Sequence, residues 1–140
     1  MIKNKGSFPN KYNFYGRRKG YSLSQFRTDL VNELLPELLV DLNNPGLISP
    51  SLLFKTNKEV WLEIGFGAGE HLADQAQRHP EIGFIGCEPY VNGVARLLSE
   101  IKHKSLNNIL LYNDDARLLL KKLAPNSINV FLIISFSTSV

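Results

Sequence analysis

The apolar positions near the start of the chain have a helical spacing. Apolar residues recur every three or four positions over residues 23–39, and this spacing predicts an amphipathic helix. Ser22 or Ser24 is placed to cap its first turn, and Pro36 marks a kink or an end. The Asn, Pro, Gly and Ser residues at 43–51 predict a loop after it.

From residue 59 onward the pattern changes to short apolar runs that alternate with helical stretches. The apolar runs predict four buried strands, at residues 60–64, 84–87, 109–112 and 128–134. The helical stretches lie between them, at residues 70–78, 91–104 and 116–123. This alternation predicts an α/β fold in which a doubly wound parallel sheet is connected by helical crossovers.

Charge is distributed unevenly along the chain, although the formal net charge is only +3. Residues 1–27 hold seven basic side chains and no acidic one, whereas residues 28–140 hold nine basic and 13 acidic side chains. We therefore predict a flexible basic arm over residues 1–22, followed by a mildly acidic domain over residues 23–140. An asymmetry of this kind favours a polyanionic partner such as nucleic acid.

Composition excludes several classes of protein. With 44% hydrophobic residues the chain can bury a core, and its 140 residues allow one domain. No apolar run approaches the roughly 20 residues of a membrane span, and the N-terminus lacks the apolar segment of a secretory signal. The single cysteine, Cys87, excludes internal disulfides and cysteine-based zinc sites. We therefore expect a cytoplasmic protein with no membrane partner.

The most informative motif is a glycine-rich turn after the first predicted strand, where residues 62–69 read Leu-Glu-Ile-Gly-Phe-Gly-Ala-Gly. Gly65 permits a tight turn, Gly67 lets a ligand approach the backbone, and Gly69 lets the next helix begin close to the sheet. The dinucleotide fingerprint has the spacing G-x-G-x-x-G instead. Glu70 would stand beside a bound pyrophosphate, which disfavours the alternative of a dinucleotide-dependent oxidoreductase.

Acidic residues stand near the ends of three predicted strands, and such ends share one rim of a parallel sheet. Glu63 suits a cationic or amino-bearing ligand, and Glu88 is placed to accept hydrogen bonds from ribose hydroxyls. One of Asp114 and Asp115 can take a hydrogen bond from an adenine amino group while the other caps the following helix. These groups describe a nucleoside with an amino-acid-like tail and no phosphates, namely S-adenosylmethionine. The alternatives are a solvated charge at Glu88 and purely capping roles for the aspartate pair.

The remaining candidate groups show no catalytic or metal-ligating pattern. His71, His79 and His103 lack the spacing of metal ligands, so we interpret them as surface or helix-packing residues. Cys87 is interpreted as a small buried strand residue rather than a nucleophile. We therefore predict neither a metal site nor a covalent nucleophile.

Residues 60–120 resemble the bacterial tRNA (guanine-N7)-methyltransferase family, with Leu-Glu-Ile-Gly-Phe-Gly as the most specific phrase. The segments that carry the resemblance are residues 14–20, 61–72, 84–88, 93–95, 107–108 and 115–116. The resemblance implies a Rossmann-like S-adenosylmethionine-dependent methyltransferase fold, with seven strands and the first and fourth adjacent. This chain supplies about four parallel strands, the N-terminal half of that sheet, preceded by the basic arm and a helix.

The resemblance also implies roles for particular residues within the cofactor motif at 59–120. Glu63, Glu88 and Asp115 would be the cofactor-binding acids, and Gly65 and Gly67 would line S-adenosylmethionine. The implied reaction transfers a methyl group to N7 of a guanine in the variable loop of tRNA. Guanine N7 has an available lone pair, so the enzyme needs mainly to align the reacting atoms.

The basic arm gains a narrower interpretation beside this resemblance. Arg17, Arg18 and Lys19 are the expected tRNA contacts, because basic side chains bind the phosphates that position a nucleic acid. A solvated, solubilising tail is the alternative.

The chain departs from the family pattern after residue 132. The family continues with Phe-Pro-Asp-Pro-Trp and a basic stretch, whereas residues 133–140 form a Ser/Thr-rich, aberrant tail. The strand-end Asp of the family has no counterpart, so no catalytic residue is assigned. We expect a frameshift or premature stop near residue 132, impaired activity and poor solubility. The alternative is a non-catalytic remnant that binds S-adenosylmethionine and tRNA, or a pseudogene product.

Overall fold

A four-stranded parallel sheet organises the chain in the computed structural model, which describes residues 22–55 and 59–134. The strands are β1 (Glu59–Ile64), β2 (Ile82–Cys87), β3 (Ile109–Tyr112) and β4 (Val130–Ile133). Their spatial order is β3-β2-β1-β4, so the first and fourth strands are adjacent. The predicted α/β class, the four parallel strands and this adjacency are confirmed.

Within residues 22–55 and 59–134, five α-helices and one 3-10 turn accompany the sheet. The helices are α1 (Gln25–Glu33), α2 (Leu35–Leu38), α3 (Glu70–Arg78), α4 (Val91–Lys104) and α5 (Ala116–Lys122). The 3-10 turn covers Pro50–Leu53 and begins at the end of the segment 43–51, for which a loop is predicted. The single predicted N-terminal helix is divided at Leu34, because Pro36 lies in the first turn of α2 and cannot continue α1. Ser24, not Ser22, caps α1 by accepting a hydrogen bond from the Arg27 N–H.

The sheet separates two hydrophobic clusters, since successive strand residues point to opposite faces. On one face α1, α3 and α4 pack over the sheet, with Leu72, Leu97 and Leu98 fully buried. On the other face lie Leu119 of α5 and Phe54, which directly follows the 3-10 turn. Helices on both faces explain why every residue of β2 is buried.

The outermost strand, β4, is the least covered part of the sheet. Within the described residues β4 pairs only with β1, and all four of its side chains are exposed. Ile133 is 64% exposed and Phe131 44%, both on the face of the sheet that carries α5. An exposed, apolar edge strand is a template for pairing with another chain.

We expect this edge to drive self-association, and the double variant Phe131→Lys/Ile133→Lys to weaken it by about tenfold or more, since lysines block edge pairing. Sedimentation velocity over a range of protein concentrations measures the effect. Leu52→Lys is the control, because Leu52 is 83% exposed and belongs to the 3-10 turn rather than to a strand. Equal association of both variants would show that β4 is not the contact surface.

Candidate functional site

The turn between β1 and α3 has a backbone that glycine alone adopts easily. Gly65, Gly67 and Gly69 have φ angles of +79°, +64° and +81°, in the left-handed region. The Gly65 N–H donates to the Cys87 carbonyl at 2.8 Å, which ties the turn to the end of β2. The turn predicted from the sequence therefore lies at the carboxyl ends of β1 and β2, where open α/β sheets bind ligands.

The prediction for Gly69 needs a correction. A Cβ added at Gly69 would lie 2.7 Å from the Leu97 side chain, so this glycine lets α4, rather than the sheet, pack closely. The close approach of α3 to the sheet occurs at Gly86, where a Cβ would lie 2.5 Å from Leu72. Which neighbour a glycine admits depends on the packing of distant elements, and the local motif does not carry that information.

Gly93, in the first turn of α4, is a site residue that motif reasoning missed. A Cβ there would lie 2.1 Å from the Gly67 carbonyl oxygen, so α4 packs directly on the backbone of the turn. Two signals in the sequence point to it: residues 93–95 are among the segments that carry the family resemblance, and a glycine within a helix is unfavourable unless packing requires it.

Glu88 lies directly after β2 and binds the glycine turn. Its Oε1 accepts a hydrogen bond from the Gly67 N–H at 2.8 Å, and its Oε2 accepts one from the Tyr90 N–H at 3.0 Å. Burial raises the pKa of this carboxyl, and the two backbone hydrogen bonds oppose that shift. Each carboxylate oxygen can accept a further hydrogen bond, so Glu88 can hold the turn and still receive a ligand hydroxyl. The solvated charge considered from the sequence is wrong, because Glu88 is only 8% exposed.

Glu63 is buried near the end of β1, beside the turn. Its Oε1 lies 3.1 Å from His71 Nδ1, whereas its Oε2 is buried without a hydrogen-bond partner. Burial raises the pKa of this carboxyl, and the hydrogen bond and charge of His71 oppose the shift. A buried oxygen without a donor is costly, by about 1–3 kcal/mol, so this position favours a ligand that supplies one. His71 is therefore more than the surface or packing residue predicted from the sequence.

The two aspartates after β3, Asp114 and Asp115, make different contacts. Asp115 caps α5 by accepting a hydrogen bond from the Arg117 N–H at 3.0 Å, and the Arg117 guanidinium contacts both carboxylate oxygens. These hydrogen bonds lower the pKa of Asp115. Asp114 is buried, and its Oδ1 accepts from the Asp115 N–H at 2.7 Å. One aspartate of the pair is thus a helix cap, as expected, and it is the one to which the resemblance assigns a cofactor role.

A cavity of about 230 Å³ opens next to Glu63, between α3 and β4. Its lining combines aromatic and aliphatic side chains with a few polar groups: Trp61, Glu63, His71, Gln75, Phe84 and Leu132. Glu63 thus borders this largely apolar space, and it lies two positions before the first glycine of the turn.

Cys87 is a buried strand residue, as predicted. Burial raises the pKa of its thiol to about 12, so the thiol stays protonated and unreactive near neutral pH.

Within residues 22–55 and 59–134, no cluster of three or more His, Cys, Asp or Glu side chains could hold a metal ion. No helix in that part of the chain is long and apolar enough to cross a membrane. Arg17, Arg18 and Lys19 lie outside the described residues, as do residues 135–140 of the predicted tail.

The parallel sheet, the glycine turn after β1 and the acidic groups on the same rim define a Rossmann-like fold of the methyltransferase class. Residues 57–137 match the family described as "Putative methyltransferase". The match covers more than half of the chain, and the chain belongs to this methyltransferase family.

Curated relatives have a more specific name. Proteins named tRNA (guanine-N(7)-)-methyltransferase are similar in Rhodopseudomonas palustris (strain BisB18), at 50% identity over 116 residues, and Chelativorans sp. (strain BNC1), at 45% over 117 residues. These alignments cover 82% and 83% of this chain, but 46% and 50% of the relatives. A protein of that name in Paracoccus denitrificans (strain Pd 1222) is 42% identical over 127 residues, 86% of this chain and 54% of that relative. The chain thus spans about half the length of the curated relatives it matches.

Proposed function

We propose that this chain carries the S-adenosylmethionine-binding half of a tRNA (guanine-N7)-methyltransferase. The observation that carries the proposal is a pair of buried carboxylates near the ends of β1 and β2: Glu63 lies two positions before Gly65, and Glu88 accepts a hydrogen bond from the Gly67 N–H. The name that the curated relatives share supports tRNA as the substrate and guanine N7 as the methylated atom.

The charge of the site matches S-adenosylmethionine better than a phosphate-bearing cofactor. A pyrophosphate beside two buried carboxylates would meet electrostatic repulsion, whereas an ammonium group and ribose hydroxyls donate hydrogen bonds to them. In the proposed complex Glu63 binds the ammonium group through Oε2, and Glu88 accepts from the ribose hydroxyls. Gly65 and Gly67 line the cofactor, and Asp115 receives the adenine amino group beside its contacts with Arg117.

When bound, S-adenosylmethionine supplies the methyl group, which passes to the lone pair of guanine N7 while the carbon–sulfur bond breaks. The residues of this chain hold the donor in place and remove no proton, because N7 carries none. We propose that Arg17, Arg18 and Lys19 hold tRNA phosphates. We also propose that methyl transfer by this chain is weak, since residues 130–140 contain no acidic side chain to act beside the substrate.

The test is a calorimetric titration with S-adenosylmethionine, followed by a methylation assay on tRNA that lacks N7-methylguanine. Glu88→Ala should raise the dissociation constant by about tenfold or more, because a hydrogen bond to a charged group contributes about 1.5–3 kcal/mol. Glu81→Ala is the control, since Glu81 precedes β2 and its side chain is 69% exposed. Unchanged affinity in Glu88→Ala would remove Glu88 from the site, and rapid formation of N7-methylguanine by the wild-type chain would refute the impairment.

A further inference from the structure

His71 and Glu63 form a contact between two elements at the edge of the proposed site. His71 is the second residue of α3, and its Nδ1 lies 3.1 Å from the Oε1 of Glu63 on β1. The two side chains differ in their environment, because that of His71 is 51% exposed and that of Glu63 is 5% exposed. The imidazole therefore connects a buried carboxylate to solvent.

The surroundings of Glu63 offer no other basic group. From β2 and β4 the neighbouring side chains are apolar, namely Phe84, Val130 and Leu132. From α3 the cavity lining contains His71 itself and Gln75, which is uncharged. Among the described residues, His71 is thus the one basic side chain within ion-pair distance of this carboxylate.

The other charged groups nearby have contacts of their own. Asp74 pairs with Arg78 at 2.9 Å on the surface of α3. Glu70 lies 3.7 Å from Arg96 of α4, and Glu88 is hydrogen-bonded to the backbone. Among these charged side chains, His71 is therefore the one that offsets the cost of burying the ionised carboxylate of Glu63.

We infer that His71 is a positioning residue for Glu63. His71 contacts the Oε1 of Glu63 and keeps this carboxylate ionised, and the Oε2 of Glu63 is left to bind the ammonium group of the cofactor. The inference rests on the proposed function, because it assigns the regulation of that same site. A protonated carboxyl cannot pair with an ammonium group by charge, so binding requires ionised Glu63. Since burial already raises the pKa of Glu63 and His71 opposes the shift, loss of His71 should raise that pKa further.

Cofactor affinity should fall when Glu63 becomes protonated. As the pH falls through the pKa of Glu63, the carboxylate gains a proton and cofactor affinity is lost. In His71→Ala this loss should begin at a higher pH than in the wild-type chain. At alkaline pH Glu63 is ionised in both proteins, so their affinities should converge.

The experiment is a titration with S-adenosylhomocysteine, which carries the same ammonium group, over a range of pH. As the pH falls, His71→Ala should bind progressively more weakly than the wild-type chain, by about tenfold at the lowest pH at which the wild-type chain still binds, and within about threefold at the alkaline end of the range. Titration of the ligand's own amino group near pH ~8 is common to all variants and cancels in the ratio. His71→Lys places a permanent positive charge beside Glu63 and should return the pH profile towards that of the wild-type chain.

His103→Ala is the matched control, because His103 is an exposed imidazole in the last turn of α4. It should leave both the affinity and the pH profile unchanged. Thermal melts establish that each variant is folded, which matters because His71→Ala leaves the buried Oε1 of Glu63 without its donor. A pH-independent loss in His71→Ala would overturn the positioning role and leave the proposed function intact. Absence of binding by the wild-type chain at every pH would overturn both.

Discussion

Asn108→Asp is expected to destabilise the chain by about 3–5 kcal/mol, a large share of the roughly 5–15 kcal/mol of a typical domain. The Asn108 side chain is 2% exposed, and its Nδ2 donates to the carbonyls of Ala76, His79 and Ile82 at 3.1, 3.1 and 2.9 Å. It thereby connects the end of α3 to the start of β2. Aspartate has nearly the same shape but donates no hydrogen bond there, and it turns a carboxyl oxygen towards three carbonyl oxygens.

Equilibrium denaturation in urea, followed by the fluorescence of Trp61, the only tryptophan of the chain, measures this effect. Asn107→Asp is the matched control, because it makes the same chemical change at an exposed neighbour and should cost less than about 0.5 kcal/mol. Equal stability of the two variants would mean that Asn108 does not stabilise the junction between α3 and β2.

Gly93→Ala is expected to weaken S-adenosylmethionine binding by about 10- to 100-fold. In an ordinary helix interior this substitution stabilises by about 1 kcal/mol, because alanine is the better helix former. Here the added Cβ would lie 2.1 Å from the Gly67 carbonyl oxygen, so either α4 or the turn must move. Overpacking of this kind costs about 1–3 kcal/mol, and it displaces the Gly67 N–H that Glu88 binds at 2.8 Å.

Calorimetric titration gives the affinity, and thermal denaturation gives the stability of the same preparation. Gly46→Ala is the glycine control, since Gly46 has a φ of +84° but nothing within 4 Å of an added Cβ. It should lose about 1 kcal/mol of stability through backbone strain and keep its affinity. A Gly93→Ala protein that is both more stable and equally able to bind would contradict the close packing of α4 on the turn.

Local patterns predicted most of the secondary structure and part of the site. Short apolar runs predicted all four strands, and helical spacing predicted α3 to α5, because buried strands are apolar throughout and helices bury one face. The glycines at 65 and 67 were found because a backbone with positive φ requires glycine whatever surrounds it. Glu63 and Glu88 were found because parallel strands bring their carboxyl ends to one rim.

Other parts of the site depend on residues that are distant in the chain. The sequence left open which aspartate caps α5, and the structure assigns that contact to Asp115 and Arg117. It offered no reason to connect His71 with Glu63, because a histidine at the start of a helix is usually a surface residue. The role of Asn108 was equally hidden, since its three acceptors lie 26 to 32 positions earlier.

By itself, the sequence determined the alternation of strands and helices, the glycine turn and the acids at the strand ends, because each follows from neighbouring residues. Only the tertiary structure decided that Gly93 lets α4 pack on the glycine turn and that Glu88 accepts a hydrogen bond from this turn. It also decided that the Oε2 of Glu63 is left without a hydrogen-bond partner. These properties depend on how closely α3 and α4 pack on the sheet and on each other. That packing is the joint result of many side chains, so no single segment of the sequence contains it.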